Sequence, residues 1–272
     1  MSLPQPAPDR TALVTGASSG IGAEIARQLV DRGHGVTLLA RRAEKLADLA
    51  AELGDRGVRV EVLPADLADR DVRAALPGRI AALGLGVDIL VNNAGMSTLG
   101  PVSDSDPDRE LHLVEVDVAA VVDLCSRFLP DMVARHRGAI LNVASTAAFQ
   151  PLPGQAAYGA AKAFVLSYSR SLSGELRGSG VVVTVLCPGP VDTGFGEAAG
   201  FDSADAEAAL PSFMWESTES VARTGLDALA AGHREAIPGT ANRLLASFAH
   251  HTPKALLIPL VASRHPGLRH DR

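Results

Sequence analysis

The sequence predicts an α/β fold, doubly wound about a parallel sheet of about seven strands, and three observations predict it. Short apolar runs alternate with helical patterns from Thr11 to Ile237, the first run leads through a glycine-rich turn into a helix, and 272 residues suit one large domain rather than two. With 47% apolar residues the chain can fill a sizeable core. A net charge of −6, with no polybasic run outside the tail, argues against a nucleic-acid partner. No apolar run reaches the roughly 18 residues of a membrane span, and Met1 to Arg10 holds no hydrophobic stretch that would act as a signal, so a cytoplasmic location is expected. Cys125 and Cys187 lie far apart in apolar segments and are expected as buried thiols, with no metal site. His34, His112 and His136 lack ligand spacing and are expected at the surface.

Thr11 to Thr15 forms the first strand and runs into Gly16-Ala17-Ser18-Ser19-Gly20-Ile21-Gly22. Ile21, Ile25 and Leu29 then recur at helical spacing until Gly33. A strand, a glycine turn and a helix start let backbone N–H groups meet a phosphate, so Gly16, Ser18, Ser19, Gly20, Ile21 and Gly22 are candidate dinucleotide contacts. The second strand, Val36 to Ala40, is followed at once by Arg41 and Arg42, with no acid at its end. An acid there would favour a free ribose 2′-hydroxyl, whereas an arginine accommodates a 2′-phosphate. NADP(H) is therefore the expected cofactor, with Arg41 the anchor and Ser18 or Arg42 assisting. Val58 to Leu63 forms the third strand and ends in Pro64-Ala65-Asp66-Leu67. A helix from Asp69 to Leu83 precedes Ile89-Leu90-Val91, a fourth strand that delivers Asn92-Asn93-Ala94-Gly95 to its carboxyl end, where open parallel sheets bind ligands.

A long helical pattern covers Pro107 to Arg135, and Ala139 to Val143 forms the fifth strand, with Ser145 just past it. The next helix carries Tyr158 and Lys162, whose i, i+4 spacing puts both on one face. A phenol titrates near ~10 unperturbed, and a cation beside it favours the phenolate. Tyr158 is thus read as the proton carrier, Lys162 as the cation that makes it more acidic, and Ser145 as the hydroxyl that binds the same substrate oxygen. Val181 to Cys187 forms the sixth strand, broken by Pro188-Gly189-Pro190-Val191-Asp192-Thr193. From Gly194 to Glu216 the pattern dissolves, with Phe195, Phe201, Phe213, Met214 and Trp215 scattered through it, as in a lid. Thr218 caps a helix to about Ala231, and Glu235 to Ile237 adds a last strand.

Taken together, the glycine-rich turn, Asn92 to Gly95, Ser145 and Tyr158-x-x-x-Lys162 resemble the short-chain dehydrogenase/reductase family over about Thr11 to Ile237. The resemblance implies a single Rossmann-type catalytic domain over 11–239, after an N-terminal extension over 1–10. It implies that Asp66 and Leu67 meet the adenine, and that Asn93, Ala94 and Gly95 lie against the cofactor. It further implies that Pro188, Gly189, Val191 and Thr193 form the turn contacting the nicotinamide, that Lys162 also orients the nicotinamide ribose, and that 194–216 closes over the substrate. Most members complete a tetrad with an Asn where this chain has Asp117, so the side-chain amide donor is missing and a negative charge is available to Lys162. The extension over 240–272 is basic and apolar, and resembles those of long-chain 3-oxoacyl reductases. It is expected to pack on its own domain or on a partner in a homo-oligomer, with peripheral contact to an anionic membrane as another use. The function so implied is reduction of an apolar, lipid-like carbonyl compound to an alcohol. The alternative is a dinucleotide-binding regulatory or scaffold protein with weak turnover.

Overall fold

Runs of Val, Ile and Leu without polar alternation become strands covered on both faces, as parallel sheets require. In the computed structural model, which describes residues 3–194, 196 and 211–268, these are β1 (Arg10–Thr15), β2 (Val36–Ala40), β3 (Val60–Pro64), β4 (Gly86–Asn92), β5 (Gly138–Val143), β6 (Val181–Leu186) and β7 (Glu235–Ala236). All pair in parallel in the order β3-β2-β1-β4-β5-β6-β7. The order reverses between β1 and β4, which opens a crevice at their carboxyl ends.

Alternate strand residues feed two cores. Leu13, Leu39, Leu90, Ile140 and Val183 pack under α3 (Arg70–Ala82), α5 (Ala120–Ala134) and α6 (Ala156–Glu175). Val14, Leu38, Ile89, Val91 and Leu141 pack under α1 (Gly20–Asp31), α2 (Ala43–Gly54) and α7 (Thr218–Ala231). Both thiols are buried, and burial pushes Cys125 up to about 12.

Four sequence expectations change at this level. β4 starts at Gly86 rather than Ile89, because Asp88, which disguises the strand, is buried against Arg135 (2.5 Å) and Arg137 (2.9 Å). Helix α7 is capped by Ser217, whose hydroxyl accepts from Ser220 N–H, so Thr218 is the first helical residue instead. His34 is buried at the end of the α1–β2 turn, where burial, then Arg32, lowers its pKa. The pattern over Pro107 to Arg135 divides into α4 (Pro107–Val114), a π-helical turn (Glu115–Ala119) and α5. In the tail, α8 (Thr240–His251) and α9 (Lys254–Arg264) fold back over the carboxyl end of the sheet, followed by a 3-10 turn (Pro266–Leu268). Within 194–216, residues 195 and 197–210 lie outside the described residues, as do Arg269, Asp271 and Arg272 of the tail.

Candidate active site

The crevice between β1 and β4 is held together by one hydroxyl. Thr15 Oγ1 donates to the Val91 carbonyl (3.0 Å) and accepts from the N–H groups of Asn93 (2.9 Å) and Ala94 (3.0 Å). Asn93 Nδ2 returns a bond to the Thr15 carbonyl (3.0 Å). The glycines follow from this closeness. Gly16 and Gly20 adopt left-handed backbone, with φ of 66° and 56°. A Cβ on Gly16 would stand 2.8 Å from Asn93 Nδ2, and one on Gly20 would stand 2.9 Å from Thr193 Cβ. The turn can therefore bring its backbone against a ligand phosphate at the start of α1, and these residues fit the expected dinucleotide.

Next to the turn, Arg42 donates to Ser18 Oγ (2.9 Å) and Ser19 Oγ (2.8 Å). Arg41 is exposed and, among the described residues, makes no such contact with the turn. Asp66 turns back on its own loop, accepting from Ala68 N–H (3.0 Å), while Leu67 is buried at the crevice floor.

At the other side, β5 ends one residue before Ala144 and Ser145 begin the loop to α6. Ser145 Oγ accepts from Ala147 N–H (3.1 Å) and hydrogen-bonds with Tyr158. One turn along α6, Lys162 is 5% exposed and its Nζ lies 2.9 Å from Asp117 Oδ2, 3.4 Å from the Val143 carbonyl and 5.6 Å from the centre of the Tyr158 ring. Asp117 is completely buried, and its Oδ1 accepts from Met96 N–H (2.8 Å). It reaches Lys162 from the π-turn, where the wider helical winding re-aims side chains, a recurrent feature of functional sites. Gly95 backs onto this pair: a Cβ there would stand 3.0 Å from Asp117 Oδ2 and 3.2 Å from Lys162 Nζ.

Burial is the largest single influence on all three groups. Burial works against charge on Lys162, but Asp117 and then Tyr158 outweigh it, so its pKa is raised and the ammonium is favoured. Burial pushes Asp117 up, against the pull of Lys162 and the Met96 N–H. For Tyr158, burial raises the phenol, Lys162 pulls it down as expected and Ser145 with it, and Asp117 adds to the rise, so the phenol is left above its ordinary value.

The turn after β6 closes the site. The Pro188 carbonyl accepts from Thr146 N–H (2.8 Å), Thr193 faces Gly20, and Val191 bridges to Glu216 just before α7. Gly189 is packed against Asn242 of α8, whose Nδ2 donates to the Met214 (3.0 Å) and Pro238 (3.2 Å) carbonyls. Among the described residues, no group of three His, Cys, Asp or Glu side chains could hold a metal ion. Sequence reasoning missed Met96, Ser97, Gln155, Asn242 and His265, whose contacts are tertiary; the one signal among them is Gly154 and Gly189, which leave room for His265 and Asn242.

Residues 10–202 match the family described as short chain dehydrogenase. The chain is 43% identical over 187 residues to "Nodulation protein G" of Rhizobium sp. (strain N33), covering 68% of this chain and 74% of that protein. It is 35% identical over 187 residues to "Very-long-chain 3-oxoacyl-CoA reductase" of Anas platyrhynchos, covering 65% of this chain and 58% of that one. Among solved structures it resembles a short-chain dehydrogenase from Sphingobium yanoikuyae in complex with NADPH, with a TM-score of 0.78 and 32% identity over 96% of this chain and 99% of that chain.

Proposed function

The chain belongs to the short-chain dehydrogenase family, and from that premise we propose that it is an NADP(H)-dependent oxidoreductase that reduces an apolar, lipid-like ketone or 3-oxoacyl compound to a secondary alcohol. The observation that carries this reading is Lys162, buried between Asp117 and Tyr158 while Ser145 holds the phenol. The NADPH complex of the Sphingobium relative supports the cofactor, and the reductase from Anas platyrhynchos supports the substrate class.

When bound, NADPH supplies the hydride that reaches the carbonyl carbon. Gly16, Ser18, Ser19, Gly20, Ile21 and Gly22 present backbone and hydroxyl groups to its phosphates, and Arg42, joined to Ser18 and Ser19, works with Arg41 at the 2′-phosphate. Asp66 and Leu67 take the adenine side. Asn93, Ala94, Gly95, Pro188, Gly189, Val191 and Thr193 take the nicotinamide side. Ser145 hydrogen-bonds the substrate oxygen, and Tyr158 gives it a proton. A phenol made less acidic by burial keeps that proton until the oxygen acquires alkoxide character, which suits a donor in the reductive direction. The Lys162 ammonium then faces the phenolate left behind, and Asp117 keeps that ammonium charged.

The catalytic unit spans 11–239, with a lid over 194–216, an extension over 1–10 and a tail over 240–272. Exposed Leu111 (65%), Leu244 (68%), Phe248 (62%) and Leu256 (69%) support assembly into a homo-oligomer. Among the described residues no helix is long and apolar enough to cross a membrane. A second reading, a regulatory dinucleotide-binding protein with weak turnover, draws on Asp117, which raises the phenol further. The deciding experiment follows NADPH oxidation by the purified protein against ketones and 3-oxoacyl thioesters of increasing chain length. Turnover that rises with apolar bulk is expected, whereas NADPH binding with no turnover on any carbonyl would favour the regulatory reading.

A further inference from the structure

Tyr158 occupies an unusual place in its helix. It is the third residue of α6, within the first turn, where backbone N–H groups have no acceptor inside the helix. The first bond that closes the helix runs from Gly159 N–H to the Gln155 carbonyl (2.9 Å), one residue beyond the phenol. The turn that carries Tyr158 is therefore closed on its amino side by Gln155, and what holds Gln155 bears on where the phenol stands.

Gln155 is the N-cap residue of α6, yet its side chain caps nothing. It is 9% exposed and is used sideways: Nε2 donates to Ser97 Oγ (2.7 Å), and Oε1 pairs with His265 Nε2 (3.1 Å). Ser97 Oγ in turn donates to the Thr98 carbonyl (3.2 Å), so donors and acceptors agree along the row when His265 carries its proton on Nε2. Around this row the backbone is fitted to the tail. Gly154 has φ of 89°, and a Cβ on it would collide with the His265 ring. A Cβ on Gly267 would stand 2.6 Å from Leu99 Cδ1 and 3.0 Å from Gly100 N. Gly100 N–H in turn donates to the Gly154 carbonyl (2.9 Å). Further back, Lys254 Nζ donates to the Ala249 carbonyl (2.8 Å) and reaches the Phe149 carbonyl (3.5 Å), tying the start of α9 to the Ser145 loop.

We propose that His265, through the Gln155–Ser97 row, is a positioning residue for Tyr158, and that the turn at Pro266–Leu268 is a strap that fixes the two loops on the substrate side of the site. The row joins the loop after β4, the loop before α6 and the tail at one point. Two residues before Ser97, Gly95 lies against the Lys162–Asp117 pair. The strap thus sets the phenol on one side and the backbone behind the lysine on the other. It leaves the glycine-rich turn, on the far side of the crevice, untouched.

The proposal rests on the catalytic reading of Tyr158, and its test separates the two. His265→Ala and, independently, Gly154→Ala, which drives the ring out, are compared with His265→Gln, whose Nε2 can still donate to Gln155. NADPH affinity and thermal midpoint are measured first as checks on the folded protein, followed by kcat and KM on a turned-over carbonyl compound and by hydrogen–deuterium exchange of residues 97–100 and 150–155. We expect kcat to fall about tenfold in the Ala variants, as a misplaced acid requires, with NADPH affinity unchanged, faster exchange in both loops, and recovery in His265→Gln. Unchanged kcat, or unchanged exchange in those loops, would overturn the strap. If the unmutated protein turns over no carbonyl compound, the catalytic reading fails, while the exchange difference still decides whether the strap orders these loops.

Discussion

Each end of the sheet buries a carboxylate against cations, and the two ends use it differently. At the amino end Asp88 is 3% exposed and meets Arg135, Arg137 and, at 4.0 Å, Arg10. At the carboxyl end Asp117 is completely buried and meets Lys162 alone, with the Met96 N–H as its other partner. Guanidinium groups keep their charge in a protein and fork onto a carboxylate, so the Asp88 cluster is a clamp. An ammonium responds to its surroundings, and Lys162 sits 5.6 Å from a phenol ring whose own titration it influences. The same burial therefore suits a structural clamp at one end and, in the proposed reaction, proton chemistry at the other, and the choice of Lys over Arg makes the difference.

The largest effect expected tests the chemical end. Tyr158→Phe should lower kcat about 10²- to 10⁴-fold, the range of a lost general acid, while NADPH affinity and the thermal midpoint hold. Turnover retained in that variant would place the proton donor elsewhere. The clamp should respond in the opposite sense. Asp88→Ala leaves its arginines uncompensated and should cost about 3 kcal/mol, the low end for a broken buried pair because Arg135 and Arg137 are partly exposed. Urea unfolding would measure this, and turnover per folded molecule should be unchanged; a loss of turnover there would dissolve the distinction between the two ends.

Smaller effects sharpen the comparison. At the rim of the crevice, Arg42→Ala removes charge-assisted bonds to Ser18 and Ser19 and should weaken NADPH about tenfold with little change for NADH, as Arg41→Ala should through the 2′-phosphate alone. Titration of both cofactors against both variants distinguishes the anchor from its helper. The finest test is Asp117→Asn. Asp117 raises both Tyr158 and Lys162, so its neutral replacement should lower both. Reduction needs the protonated phenol, so the alkaline limb of kcat/KM should move to lower pH, with a modest change in turnover near neutrality. An unmoved limb would mean that the charge of Asp117 is not used by the reaction.

The sequence made the sheet and its order of elements legible because uninterrupted apolar runs have one common use, a strand covered on both faces. Where a charged residue interrupts a run, as Asp88 does in β4, the start of the strand disappears until its arginines are seen around it. Local motifs likewise exposed the glycine turn and Tyr158-x-x-x-Lys162, since their partners lie within a turn of helix or a tight loop. The π-turn at Asp117 was not legible, because a widened turn keeps the same apolar helical pattern on either side. Nor was the net rise of the phenol: spacing announces the neighbouring cation, but desolvation depends on what the rest of the chain places overhead. The tail shows this limit most plainly, since nothing near His265 in sequence points to Gln155.

The parallel topology also dictates an order of assembly. Thr15, which ties the crevice together, bonds a carbonyl 76 residues away. On a growing chain, β1 is made early but cannot acquire its central neighbour until two helix–strand units have followed it and β4 has emerged, and pairing over such distances is slow. Until then one edge of β1 has no strand to pair with, and an open sheet edge makes the nascent amino-terminal half prone to wrong pairing. The turn at Pro266–Leu268 emerges after every strand, so the sheet is complete before His265 can reach Gln155.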